Sequence, residues 1–137
     1  MSELAPLYKA LAAAQAEITD PLKTAVNEHF RNRYADLAAI TKVVRPVLAK
    51  HGLAIMQPFT VLEGNRVEVT TVLGHESGAA VRFSANWSAG QNIQHLGSAV
   101  TYLRRYTLCS ILCIVGDDDD DGETLVAPTR KGAPNGR

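Results

Sequence analysis

The sequence predicts an α+β fold: N-terminal helices, a three-stranded antiparallel β-meander, and a long C-terminal helix packed across the sheet. Apolar residues recur at three- and four-residue intervals near the N-terminus, alternate with polar ones between Val67 and Trp87, and return to the helical interval from Leu96 to Ile114. The chain has 137 residues and 46% hydrophobic content, which suits one domain with a real core.

The first helix is expected from Leu4 to Ile18, where Leu4, Leu7, Leu11, Ala14 and Ile18 share one face and Thr19-Asp20-Pro21 ends the run. The stretch from Leu22 to Tyr34 has no clean period and reads as a surface loop. Asp36 is a good N-cap for a second helix, whose stripe is Leu37, Ile40, Val44, Val47 and Leu48 and whose end is His51-Gly52. Pro46 inside it removes a backbone donor and is expected to kink it. Lys42, Arg45 and Lys50 fall off the apolar stripe.

Turn chemistry at Glu63-Gly64-Asn65 and at Gly74 to Gly78 divides the next region into three strands. Val67, Val69, Thr71 and Leu73 share one face. Val81, Phe83, Ala85 and Trp87 do the same opposite Arg82, Ser84 and Asn86. Pro58 marks the first strand as an edge strand or a bulged one. The last helix is expected from Gln94 to Ile114, with Leu96, Val100, Leu103, Thr107, Ile111 and Ile114 inward. Residues 1–116 form the expected core domain. Residues 117–137, with Asp117 to Asp121, Pro128 and Pro134, form an acidic tail of disordered composition.

The formal net charge of zero conceals an asymmetry. Residues 1–116 carry eleven Lys or Arg against eight Asp or Glu, an excess of three, while the tail holds six of the fourteen acids. Two local clusters carry the functional reading. Arg31, Arg33 and Tyr34 interleave cations with an aromatic ring, which suits charge neutralisation together with base stacking. Ser98, Thr101, Tyr102, Arg104 and Arg105 lie off the buried stripe of the last helix, where hydroxyls and guanidinium forks can donate to phosphate oxygens. Lys42 and Arg45 extend the candidate DNA-binding set. The competing reading for each is a solvated or subunit-facing surface, with Tyr34 an anchor of the second helix and one of Arg104 and Arg105 in an ion pair.

Other chemistry finds little support. Cys109 and Cys113 suit small buried hydrophobes in a reduced protein. His29, His51, His75 and His95 lack ligand spacing and read as turn or cap residues. There is no Gly-rich phosphate loop and no nucleophile elbow, so a binding protein is expected, with no ATP and no catalytic residue. The five aspartates are contiguous, which disfavours a two-metal site; a solvated helix stop, a weak diffuse Mg²⁺ binder and a mimic of DNA charge are the alternatives. The N-terminal residues lack a signal-peptide pattern and the chain lacks a membrane span, so a cytoplasmic location is expected.

The chain resembles the ERF (essential recombination function) family of phage single-strand annealing proteins. The resemblance rests on Tyr34-Ala35-Asp36-Leu37, Arg45-Pro46-Val47-Leu48, His51 to Ile55 and Gln57-Pro58. It continues through Thr71, Leu73, His75 and Ser77-Gly78, then Gly97 to Tyr106, and the Asp117 to Asp121 run with Gly122. It implies a protein that pairs complementary single strands of DNA without ATP during phage recombination, as a homo-oligomeric ring or helical filament. Longer relatives use a C-terminal region to contact host or phage partners, such as a phage exonuclease or host single-strand-binding protein. On this reading phosphates sit on Arg31, Arg33, Arg104 and Arg105 and base edges face outward. A passive protector of single strands is the alternative function.

Overall fold

Each long apolar periodicity becomes an element of the computed structural model, which describes residues 2–27 and 32–117. Helix α1 (Ala5–Glu17) carries Pro6 in its first turn, where a missing N–H costs nothing, and buries Leu7 and Ala14. Strands β1 (Ala25–Asn27) and β2 (Asn32–Tyr34) then pair antiparallel, with Val26 opposite Arg33. This corrects the loop expected from Leu22 to Tyr34. Three-residue strands are too short to show a period, and part of their pairing is non-local. Ala35 N donates to Gly116 O at 2.7 Å, and Tyr34 bridges Asp117.

Helix α2 (Leu37–Lys50) starts where the sequence places it. The Asp36 carboxylate accepts from Ala39 N at 2.9 Å, and Ile40, Val44 and Leu48 are buried. The helix continues through the exposed Pro46 and stops at Gly52, which has φ +70°.

The sheet contains β3 (Leu53–Met56), β4 (Phe59–Leu62), β5 (Arg66–His75) and β6 (Ala80–Ser88), with β5 in the centre. Both β3 and β4 pair with the same edge of β5 and keep one register, from Leu53 opposite His75 to Leu62 opposite Arg66. The expected first meander strand is therefore real but interrupted, giving four strands where three were predicted. The interruption falls at Gln57-Pro58, where proline has no N–H for the ladder, although Pro58 O still accepts from Thr70 N at 3.0 Å.

Val67, Val69, Thr71 and Leu73 on β5 are all fully buried, as their alternation predicts. Their partners on β6 share that face but are less covered. Phe83 is 36% and Trp87 66% exposed, because the long helix contacts β5 more extensively than β6. That helix, α3 (Ile93–Leu112), is capped by the Asn92 side chain on His95 N at 3.0 Å and ends at Cys113 with φ +57°. One core cluster gathers Leu7, Ile40, Val44, Leu73, Leu108 and Leu112 from all three helices and the sheet. A second joins Val67 and Val69 to Ala99 and Leu103.

The segment after α3 is stitched to the body. Val115 N donates to Asp20 at 3.3 Å, and Tyr34 bridges Asp117. The remainder of the predicted acidic tail lies outside the described residues. Cys109 is half-buried, whereas Cys113 is exposed because it occupies the helix cap; both are free thiols. Burial raises the Cys109 pKa. Among the described residues no helix is long and apolar enough to cross a membrane.

Candidate nucleic-acid interface

Three adjoining depressions run around α2. The first lies between β2, the start of α2 and α3, and is lined by Tyr34, Asp36, Leu37, Gln94, Gly97, Ser98, Thr101, Tyr102 and Arg105. The steps 97, 98, 101, 102 and 105 are helical neighbours, so α3 presents its hydroxyls and Tyr102 along one flank. The second lies between α2, β3 and α3, with a cavity volume of about 660 Å³. Val44, Leu48, Leu53, Ile55 and Leu108 give it an apolar floor, while Arg45, Gln57 and Arg104 supply polar groups; no carboxylate lines it. The third, with Thr41, Lys42, Arg45 and Pro46, adjoins it on the outer side of α2. Leu37 is common to the first two and Arg45 to the last two, which makes the surface continuous.

Eight of the ten residues expected to bind DNA line these depressions: Tyr34, Lys42, Arg45, Ser98, Thr101, Tyr102, Arg104 and Arg105. Arg33 stands exposed on β2 beside Tyr34. Arg31 lies outside the described residues, as do His29 and the acidic run beyond Asp117. His51, His75 and His95 are indeed turn or cap groups. His51 ends α2, and the Nδ1 atoms of His75 and His95 accept from Ser77 N and Gln91 N.

Arg105 departs from its expected place on a solvated flank. It is only 5% exposed, and its Nη1 donates to Asp117 Oδ1 at 2.6 Å. Its guanidinium carbon lies 4.6 Å from the ring centroids of both Tyr34 and Tyr106. Burial draws its pKa down, but the hydrogen bond and charge of Asp117 outweigh burial and leave it above the usual arginine value. This is the ion pair that the sequence allowed for one of the two arginines. Helical periodicity missed the burial because the covering groups, Tyr34 and Asp117, come from β2 and the segment after α3.

Arg104 has the opposite character. It is partly exposed, and its Nε is buried without a hydrogen-bond partner. The turn that carries it is fixed from beneath: Gln57 Nε2 donates to Arg104 O at 3.1 Å, and also lies 3.0 Å from Thr71 Oγ1 and 3.1 Å from Thr107 Oγ1. A partly exposed guanidinium at a depression without carboxylates is open to an anion.

Tyr106 was missed as a candidate. It is 52% exposed, as is Tyr102, and the two rings stack with centroids 6.3 Å apart and planes 16° from parallel. Their i, i+4 spacing is a readable signal for such a contact. Among the described residues no group of three or more His, Cys, Asp or Glu side chains is arranged to hold a metal ion.

In comparisons with known proteins, the family model described as the ERF superfamily matches residues 7–135. No curated protein and no solved structure gives a significant match.

Proposed function

The chain belongs to the ERF superfamily, and from that premise we propose that it binds single-stranded DNA and anneals it to a complementary strand during phage recombination. The observation that carries this reading is the convergence of Tyr34, Ser98, Thr101 and Tyr102 in one depression that adjoins the Arg45 and Arg104 depression. Aromatic faces beside hydroxyl donors suit bases and sugars, and the carboxylate-free arginine site suits phosphates. Lys42 extends the cationic side, and Arg33 extends the aromatic one.

The division of labour differs from a uniform phosphate track. Arg105 is already neutralised by Asp117, and Asp36 rims the same depression, so that end favours bases over phosphates. Arg45, Arg104 and Lys42 hold the backbone. A strand held this way keeps bases available for pairing. Formation of the duplex then supplies the driving free energy, about 1.4 kcal/mol per base-pair step, so ATP has no task in the cycle. Catalysis and a resident metal have none either. The working form is a homo-oligomeric ring or filament in the host cytoplasm, with a phage exonuclease or host single-strand-binding protein as candidate partners.

The test is fluorescence-detected annealing of two complementary oligonucleotides without ATP, against the rate for naked DNA and a non-complementary pair. Acceleration confined to the complementary pair supports the proposal. Binding without acceleration replaces it with the passive protector, and no binding overturns both.

A further inference from the structure

The packing around Arg105 has a use besides holding the chain together. Its guanidinium is flat, nearly inaccessible to solvent, and fixed by Asp117 at 2.6 Å. A charge so paired contributes little to phosphate binding, but its planar surface still attracts aromatic faces. It lies 4.6 Å from the Tyr34 and Tyr106 centroids, and Tyr106 in turn stacks on Tyr102 at 6.3 Å. Tyr34, Arg105, Tyr106 and Tyr102 thus form one connected array of flat groups drawn from β2 and α3.

We infer that Tyr102 and Tyr106 are a preorganised platform on which nucleobases stack, with Arg105 and Asp117 as positioning residues that hold Tyr34 and Tyr106 in place. The inference rests on the single-strand reading above and deepens it by naming Tyr106 as a base contact. Both tyrosines remain half-exposed despite their mutual stacking, which leaves ring surface for a ligand. Ser98 and Thr101 are exposed beside Tyr102, so the immediate border is hydroxylic, as a sugar requires. A stacking platform tolerates any base, as annealing of arbitrary sequence demands. Fixing the rings before binding also lowers the entropy lost when DNA arrives.

The roles separate experimentally. As a positioning residue, Asp117 should aid DNA binding, so Asp117→Asn should weaken it. If Asp117 instead blocked a phosphate site on Arg105, the same change would free the cation and strengthen binding.

The experiment titrates the full chain into a single strand containing 2-aminopurine, reading fluorescence quenching by stacking and anisotropy for total binding. Wild-type protein should quench the probe. Tyr106→Ala should abolish most quenching and weaken binding about tenfold, the usual order for one base–aromatic contact. Tyr106→Phe, which keeps the ring, should behave like wild type. Asp117→Asn should reduce quenching and affinity while the slope of log affinity against log salt stays unchanged. Unaltered quenching in a folded Tyr106→Ala protein would overturn the platform, as would tighter binding by Asp117→Asn. Failure of the wild-type anisotropy to change would instead overturn single-strand binding itself.

Discussion

Gln57 and Thr107 join the interruption in the sheet edge to the middle of α3: Gln57 Nε2 donates to Thr107 Oγ1 at 3.1 Å. Thr71 Oγ1 donates to the same hydroxyl at 2.9 Å, and Thr107 Oγ1 donates to Leu103 O. The break at Pro58 thereby gains a structural role, because Gln57 there reaches beneath the turn that carries Arg104. Thr107→Val keeps the shape and deletes the shared hydroxyl, leaving the fully buried Thr71 hydroxyl without its acceptor. The expected loss is about 1–3 kcal/mol, read as a lower urea midpoint with unchanged m-value. An unchanged midpoint would mean that the network contributes nothing net.

Asp36 has two separable effects. Its carboxylate caps α2 through Ala39 N at 2.9 Å, and it also rims the aromatic depression. Asp36→Ala should cost about 0.5–2 kcal/mol in a thermal or urea melt, whereas Asp36→Asn, which still accepts the capping bond, should cost much less. Both changes remove a negative charge beside the proposed DNA path. Both should therefore tighten single-strand binding at low salt, and weaker binding by Asp36→Asn would show that the carboxylate assists the ligand.

How far these features could be read from sequence depends on the range of the interactions that make them. Ile40, Val44 and Leu48, or Val67, Val69 and Leu73, are local periodicities and became the buried faces they predict. The N-cap Asp36 was equally legible, and Pro58 marked an edge or bulged strand, although not that it divides that strand in two. Arg105 was not, because its cover comes from Tyr34 and from Asp117, twelve residues further along. Strands β1 and β2 were missed for a related reason: each is three residues long, and β2 is supported by the segment after α3. Trp87 shows the converse limit, since alternation assigns it a face without saying how far the helix extends over that face.

The clasp between α1 and α2 should weaken in acid. Glu17 accepts from Lys50 Nζ at 3.0 Å and lies 2.6 Å from His51 Nε2. These hydrogen bonds, that with Lys50 foremost, hold its pKa below the ordinary value of 4.5. A carboxylate with a depressed folded pKa binds fewer protons folded than unfolded, so its contribution is present above about 4.5 and fades as pH falls through the folded value. Glu17→Gln should remove that part of the acid dependence and lower stability at neutral pH by the same small amount, small because the pair is exposed, so that the two curves converge in acid. Parallel stability–pH curves for the two proteins would contradict the assignment.

Salt dependence distinguishes the cations that meet phosphate from those that do not. Each phosphate neutralised on a single strand adds about 0.7 to the slope of log affinity against log salt. Arg104→Ala and Arg45→Ala should each lower the slope by about that amount, because both line the carboxylate-free depression. Arg104→Ala should do so with little loss of stability, since its buried Nε has no hydrogen bond to lose. Arg105→Gln should behave in the reverse manner. It leaves Asp117 without its partner and removes the group against Tyr34 and Tyr106, so stability and base stacking fall while the slope stays near wild type. A smaller slope for Arg105→Gln, with no change for Arg104→Ala, would exchange the two roles and move the phosphate path from the α2 side to the aromatic depression.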